Sequence, residues 1–115
     1  MKTEEEFNQT ALKRLSKGKK RQHKIRHKFY EKFYKHCLKA LKKELKHGNE
    51  EVTVGIFISM LSCREFYVFD TEDKRNKAIQ IVSRFIEIKH QLVKCEIEDN
   101  WLYDGNRLVL KIKHK

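Results

Sequence analysis

Lysines recur at intervals of four and three residues along one segment of the chain, and their spacing suggests ionic chemistry. The intervals are 4, 3, 4, 3 and 4, which places every member on one side of an α-helix. At the helical rise the line is about 27 Å long. Its members are Lys28, Lys32, Lys35, Lys39, Lys42 and Lys46. Ammonium groups in a line can neutralise a row of phosphates without base-specific geometry, so the spacing predicts contact with a nucleic-acid backbone.

A second group of cations precedes this line. Its members are Arg14, Lys19, Lys20, Arg21, Lys24 and Arg26, and no residue from 14 to 28 is acidic. Residues 16 to 24 contain nothing apolar, so this stretch is either a mobile basic linker between two helices or an exposed part of one long helix. Lysines outnumber arginines 20 to 7. Because Arg is the better bidentate reader of guanine, this ratio favours phosphate contact over base readout.

A run of charge is ordinarily the solvated face of a helix, and such a face has mixed signs. Like charges four residues apart repel by roughly a few tenths of a kcal/mol, and no acid in the lysine line compensates for that. We therefore expect a non-enzymatic protein that binds DNA or RNA with weak sequence specificity. The alternative is a small adaptor or inhibitor that docks its basic helix on an acidic protein or nucleoprotein complex. Membrane binding is disfavoured, because Tyr30, Tyr34 and Cys37 on the apolar face are needed for the core.

Aromatic side chains offer a different route to nucleic acid, since an open sheet face can stack bases. The candidates are Phe57, Tyr67, Phe69 and Trp101. We expect these residues in the core, because the amphipathic helices need them for burial. Trp101 and Tyr103, with Arg107, lie near a predicted hairpin tip and are the expected exceptions.

Metal binding and catalysis have little support. His23 and His27 are four residues apart, but no second ligand pair has zinc spacing. A magnesium-dependent nuclease could assemble Asp70, Glu96 and Glu98, yet acids that alternate along a strand ordinarily form its solvent face. We expect no metal, no cofactor and no enzymatic activity.

The lysine line requires a helix to position it. From Ile25 to His47 the opposite side is a broad apolar arc, and His47, Gly48 and Asn49 supply a helix stop. The arc consists of Phe29, Tyr30, Phe33, Tyr34, Cys37, Leu38, Leu41 and Leu45. A short helix is predicted upstream, from Thr3 to Lys17.

The remaining sequence predicts a small sheet and one more helix. Residues 52 to 58 alternate as a strand, and residues 65 to 69 favour a second strand, although a helix from 60 to 69 is the alternative. Asp70 or Thr71 caps a helix that runs to about residue 90, and its broad apolar surface predicts deep burial. Two strands follow, with Asp104 and Gly105 as the turn. Their inner residues are Val93, Cys95 and Ile97 on one strand and Leu108, Leu110 and Ile112 on the other.

These elements form a single α+β domain over residues 1–115, in the order α-α-β-β-α-β-β. The alternative is a winged-helix-like fold, in which the 72–90 helix approaches the groove and the hairpin contacts the backbone. The formal net charge is +11, and essentially all of it lies in a basic helical segment, 1–47, while 48–115 is a charge-balanced scaffold. Three cysteines without paired spacing, no signal peptide and no membrane span predict a reducing, cytoplasmic location. The oligomeric state stays open.

Overall fold

The structure is a computed structural model that describes residues 4–56, 60–100 and 105–114. Its α+β class is as the sequence predicts: a long N-terminal helix lies on a three-stranded antiparallel sheet, with further helices beside it. The predicted element order agrees in outline. The elements are α1 (Glu4–Lys46), β1 (Glu51–Gly55), α2 (Cys63–Val68), α3 (Glu72–Lys89), β2 (Val93–Asn100) and β3 (Gly105–Ile112).

Helix α1 is continuous over 43 residues. Residues 16–24 are therefore part of one long helix and do not form a linker between two helices. The helix ends where the sequence predicts, because Gly48 adopts a φ of 81°, which favours glycine. The Gly48 backbone N–H donates to the Leu45 carbonyl, and the Glu44 carbonyl accepts from the N–H groups of both His47 and Asn49, so these carbonyls at the helix end have partners.

The sheet has the strand order β1-β3-β2, with both pairs antiparallel. The predicted inner residues share one face, where Leu110 lies between Val52 of β1 and Cys95 of β2. The prediction of burial is wrong for Ile97, which is 40% exposed. On the outer face Lys111 lies between Glu51 of β1 and Lys94 of β2, and its ammonium pairs with Glu51 and with the diagonal neighbour Glu96. Helices α1 and α3 pack on the inner face, and α2 packs against α1. The predicted turn residue Asp104, the neighbouring Trp101 and Tyr103, and Phe57 lie outside the described residues.

The second strand predicted at residues 65–69 is wrong, and the alternative helix is present instead as α2. The Ser62 hydroxyl accepts a hydrogen bond from the Glu65 backbone N–H, and the Glu65 carboxylate accepts one from the Ser62 backbone N–H. This reciprocal capping box starts a helix regardless of the β-propensity of the aromatic residues that follow. Phe69 ends α2 and is almost fully buried.

Helix α3 begins after Thr71, whose hydroxyl accepts a hydrogen bond from the Lys74 backbone N–H, as the sequence predicts. The expectation of deep burial is correct for only one of its sides. Ala78, Val82 and Ile86 are buried against the sheet and α1, whereas three other apolar residues are exposed. These are Ile81, Phe85 and Ile88. The prediction fails for them because one three-stranded sheet and one neighbouring helix cover only part of the circumference.

The N-terminal half of α1 extends beyond the body of the protein. The described side chains from Gln9 to Lys24 are all exposed, and burial begins with Ile25 and becomes complete at Phe29. We call residues 4–24 the arm; it is about 30 Å long and accounts for much of the 70 Å length of the molecule. Within the described residues, no helix is long and apolar enough to cross a membrane.

The winged-helix-like alternative shares one feature with the structure. Helices α2 and α3 are separated by three residues and are followed by the β2–β3 hairpin, which is the chain order that this alternative requires. The first turn of α3 carries Glu72 and Asp73. Since these carboxylates would meet phosphates first, the charge of α3 does not favour its entry into a groove.

Candidate nucleic-acid interface

The continuity of α1 joins the two predicted groups of cations into one line. Going back from Lys28, the intervals of four, three, four and three residues lead to Lys24, Arg21, Lys17 and Arg14. The line thus has ten members from Arg14 to Lys46, all exposed, and it is about 48 Å long. We call it the basic stripe. Lys17 is not among the site residues that the sequence predicts, because it falls on the line only if residues 16–24 are helical.

Three of the predicted site residues lie off the stripe. Lys19 and Arg26 are nine and two positions from Lys28, which turns each of them about 160° to 180° away around the helix. Lys20 is displaced by about 80°. The Arg26 guanidinium donates to the Gln22 side-chain oxygen at 3.2 Å. All three are exposed, so Lys19 and Lys20 add cations on other sides of the arm, whereas the stripe continues along the body.

A groove between α1 and α2 runs beside the stripe and has a volume of about 820 Å³. Arg21, Lys24, Lys28 and Lys32 line it from α1, and Arg64 adds a fifth cation from α2. The sequence does not predict Arg64 as a site residue, because the strand favoured at residues 65–69 does not place Arg64 beside α1. The groove widens the stripe into a basic surface contributed by two helices.

One acid lies inside this basic surface and is held there by hydrogen bonds. The Glu65 carboxylate is mostly buried and accepts hydrogen bonds from the Ser62 backbone N–H at 3.0 Å and the Lys32 ammonium at 3.2 Å. Burial raises the pKa of Glu65, but these donors and the charge of Lys32 outweigh it, so the pKa is lowered from its usual 4.5. Lys32 is therefore the stripe lysine that is already paired.

The aromatic candidates are distributed differently from the expectation. Phe69 is in the core and packs against Phe29, with ring centroids 4.7 Å apart. Tyr67 is 78% exposed on α2, so the expectation of core burial is wrong for this residue. Arg107 lies beside His36 and the end of β1.

The carboxylates Asp70 and Glu96 each pair with a different lysine, and the two candidate histidines contact each other. Asp70 accepts a hydrogen bond from Lys74 at 2.8 Å, and Glu96 accepts one from Lys111 at 3.0 Å on the outer sheet face. His23 and His27 are exposed, with ring centroids 4.2 Å apart. No group of three His, Cys, Asp or Glu side chains that could hold a metal ion occurs within residues 4–56, 60–100 and 105–114.

Comparison with protein-family models, with curated proteins and with solved structures finds no match to this chain.

Proposed function

We propose that this protein binds the phosphate backbone of DNA or RNA through the basic stripe of α1, without catalysis. The observation that carries the proposal is the continuous line of ten exposed cations from Arg14 to Lys46 on a single helix. Like charges spaced three and four residues apart repel in the free protein. A polyanion relieves this repulsion and releases its own condensed counterions on binding.

The surroundings of the stripe support a backbone contact. The arm leaves the body, so its cations can reach a ligand from several directions, and the groove beside α2 adds Arg64. Lysine predominates along the stripe, and ammonium groups act as point charges that do not read base edges. Weak sequence specificity is therefore part of the proposal.

Three variants with the same change in net charge test where nucleic acid binds. Lys35 and Lys39 are replaced by Glu in the first, Arg21 and Lys24 in the second. The third reverses Lys77 and Arg84 on α3 and is the matched control. The first pair is suitable because Lys35 and Lys39 make no ion pair with any described residue, whereas replacing Lys32 would also disturb α2.

We expect the first two variants to lose at least about tenfold in affinity for duplex DNA or structured RNA. Melting temperatures should stay close to wild type, since the replaced side chains are exposed. The α3 variant should bind like wild type. Loss of binding in the α3 variant alone would instead support the winged-helix-like mode and contradict the stripe.

The salt dependence gives a second measurement. If about six phosphates are neutralised on duplex DNA, the logarithm of the affinity falls against log salt with a slope of about −5. The Lys35 and Lys39 variant should have a shallower slope. A slope near zero for the wild type is incompatible with the proposal.

An acidic protein partner is the competing function, and salt dependence alone does not separate it from nucleic acid. Retention on duplex DNA, single-stranded DNA, structured RNA and polyglutamate does, because a phosphate binder prefers the nucleic acids to the carboxylate polymer. Equal retention on polyglutamate favours the adaptor alternative. The cytoplasmic, reducing location stays a prediction, and Cys37, Cys63 and Cys95 are free thiols.

A further inference from the structure

Helix α3 carries an exposed apolar line that the proposed function does not use. Its members are Ile81, Phe85, Ile88 and Leu92, at intervals of four, three and four residues. Leu92 lies in the turn just after the helix. Ile88 is 78% exposed and Leu92 is 62% exposed. A line with this spacing is what one helix presents to another helix packed alongside.

The apolar line borders a groove between α1 and α3 with a volume of about 490 Å³. Tyr30 and Tyr34 form its wall on α1, and Ile81 and Phe85 form its wall on α3. Tyr34 contacts the edge of the Phe85 ring, with centroids 5.1 Å apart, and its hydroxyl is 2.6 Å from the His90 ring nitrogen. These contacts fix the groove in the unbound protein, which lowers the entropic cost of binding.

Cations border the groove on both sides. Lys77 and Arg84 lie on the solvent side of the apolar line, and Lys89 extends over the Tyr34 and Phe85 rings at 5.7 and 5.3 Å. Lys28 and one acid, Glu31, line the groove from α1. The rim is thus basic, and it matches an apolar helix face flanked by carboxylates.

The geometry points to a docking site for an acidic amphipathic helix of a partner protein, which lays its apolar face on Ile81, Phe85 and Ile88. Helix-in-groove recognition uses such anchors at successive turns. A second copy of this chain fits less well, because two-fold pairing would bring the cations that border this face, Lys77, Arg84 and Lys89, from both copies into one interface. An anionic membrane also fits less well, since a concave groove with Glu31 at its edge does not lie flat on a bilayer.

The site meets the basic stripe at Lys28, which lines both grooves, and otherwise lies on another side of α1. Lys32 of the stripe contacts α2, whereas Tyr34 contacts α3. Two positions along a helix correspond to a rotation of about 200°, so α2 and α3 lie on opposite flanks of α1. A partner helix on α3 therefore leaves the stripe accessible apart from Lys28, and the protein could join its partner to a nucleic acid.

The test uses four synthetic peptides of about four helical turns. The first has leucines spaced as the apolar line and flanking glutamates, and the second has lysines in place of the glutamates. The third keeps the glutamates but has serines for leucines, which measures ionic binding to the stripe alone. The fourth is a scrambled version of the first. Binding of each to the full chain is followed by fluorescence anisotropy.

We expect the first peptide to bind at least about tenfold more tightly than the other three. Ile88→Asp should remove this preference, while Tyr67→Asp should keep it, because both side chains are 78% exposed and neither change alters the core. Replacing Lys77 and Arg84 by Glu should reverse the preference, so that the lysine-flanked peptide binds more tightly than the glutamate-flanked one.

Other outcomes overturn the proposal. Equal binding of the first and third peptides would assign the affinity to the stripe. Concentration-dependent dimerisation that Ile88→Asp abolishes, measured by analytical ultracentrifugation, would assign the face to a second copy. Binding to phosphatidylserine vesicles that depends on Ile88, without peptide binding, would assign it to a membrane. Nucleic-acid affinity of Ile88→Asp is measured in parallel, because this inference does not rest on the proposed function and can fail independently of it.

Discussion

Glu65 links the stability of α2 to the charge of the basic stripe. Its carboxylate caps the helix through the Ser62 backbone N–H and also holds the Lys32 ammonium. A hydrogen bond to an ionised group is worth about 1.5 to 3 kcal/mol, so both contacts matter for a helix of only six residues. Glu65 also keeps Lys32 from pairing with a nucleic acid. Removing the Glu65 carboxylate should therefore lower the stability of the protein and free Lys32 for binding.

Glu65→Ala should lower the free energy of unfolding at neutral pH by about 1 to 2 kcal/mol, because the helix loses its cap and Lys32 loses its partner. Denaturant titration measures this loss. Glu65→Gln retains the hydrogen bond to Ser62 and frees Lys32, so it should bind nucleic acid at least as tightly as wild type. Weaker binding by Glu65→Gln would indicate that the carboxylate orients the stripe.

The same residue gives a pH dependence whose sign is fixed. The folded pKa of Glu65 is lowered below its ordinary value of 4.5, so its contribution to stability is complete above pH 4.5 and is lost as pH falls through the lower folded value. The difference in unfolding free energy between wild type and Glu65→Gln should shrink over that acidic range. If the difference in unfolding free energy stays constant over this acidic range, the pKa of Glu65 is not lowered in the folded protein.

The three thiols should differ in reactivity. Burial raises the pKa of Cys37 to about 12, and burial together with the charge of Glu87 raises that of Cys95 to about 12. Cys63 is exposed at the start of α2. Because the thiolate is the reacting species, brief alkylation at neutral pH should label Cys63 first. Mass spectrometry of the labelled protein identifies the labelled cysteine. Equally early labelling of Cys37 would contradict its burial in the core.

At the scale of elements, the arm depends on helix propensity because none of its described side chains is buried. Gly18 lies in its middle, and a Cβ atom added there would meet nothing within 4 Å. Helix stability without packing depends on such residues, since Gly is about 1 kcal/mol less favourable than Ala in a helix interior and Pro about 3 kcal/mol less favourable.

Gly18→Ala and Gly18→Pro change this propensity in opposite directions without changing charge. The alanine variant should increase, and the proline variant decrease, the helix content measured by far-ultraviolet circular dichroism. If the arm binds nucleic acid as a helix, the affinity should follow the order Ala, Gly, Pro. Unchanged affinity of the proline variant would show that the arm contributes charge only.

At the scale of the whole molecule, the charge and the core are separated along the chain. The described core begins at Ile25 and Phe29, while residues 1–24 contain eight bases and three acids. Deleting residues 1–24 therefore leaves +6 of the formal net charge of +11. The body keeps its sheet, α2 and α3, and the second half of the stripe remains on it.

A chain of residues 25–115 should keep a melting temperature close to that of the full protein, because none of the described arm side chains is buried. Its affinity for duplex DNA should fall, and the salt slope should become shallower as the arm's phosphate contacts are lost. Differential scanning calorimetry and salt titration measure these two effects. A large drop in melting temperature would mean that the arm contributes to the core.

Local patterns in the sequence determined much of this molecule. Backbone geometry dictates the side-chain directions that set the interval of the lysines, the apolar arc from Phe29 to Leu41 and the alternation in β1, β2 and β3. The stop at Gly48 is also local, because it depends on the positive φ that glycine accepts. The capping box of Ser62 and Glu65 is equally local, and the aromatic run after it obscured it. Only the tertiary structure decided the pairing of Lys32 with Glu65, the groove with Arg64 and the exposed side of α3. Those features depend on which elements become neighbours, and a helix with two apolar sides does not encode which of them will be covered.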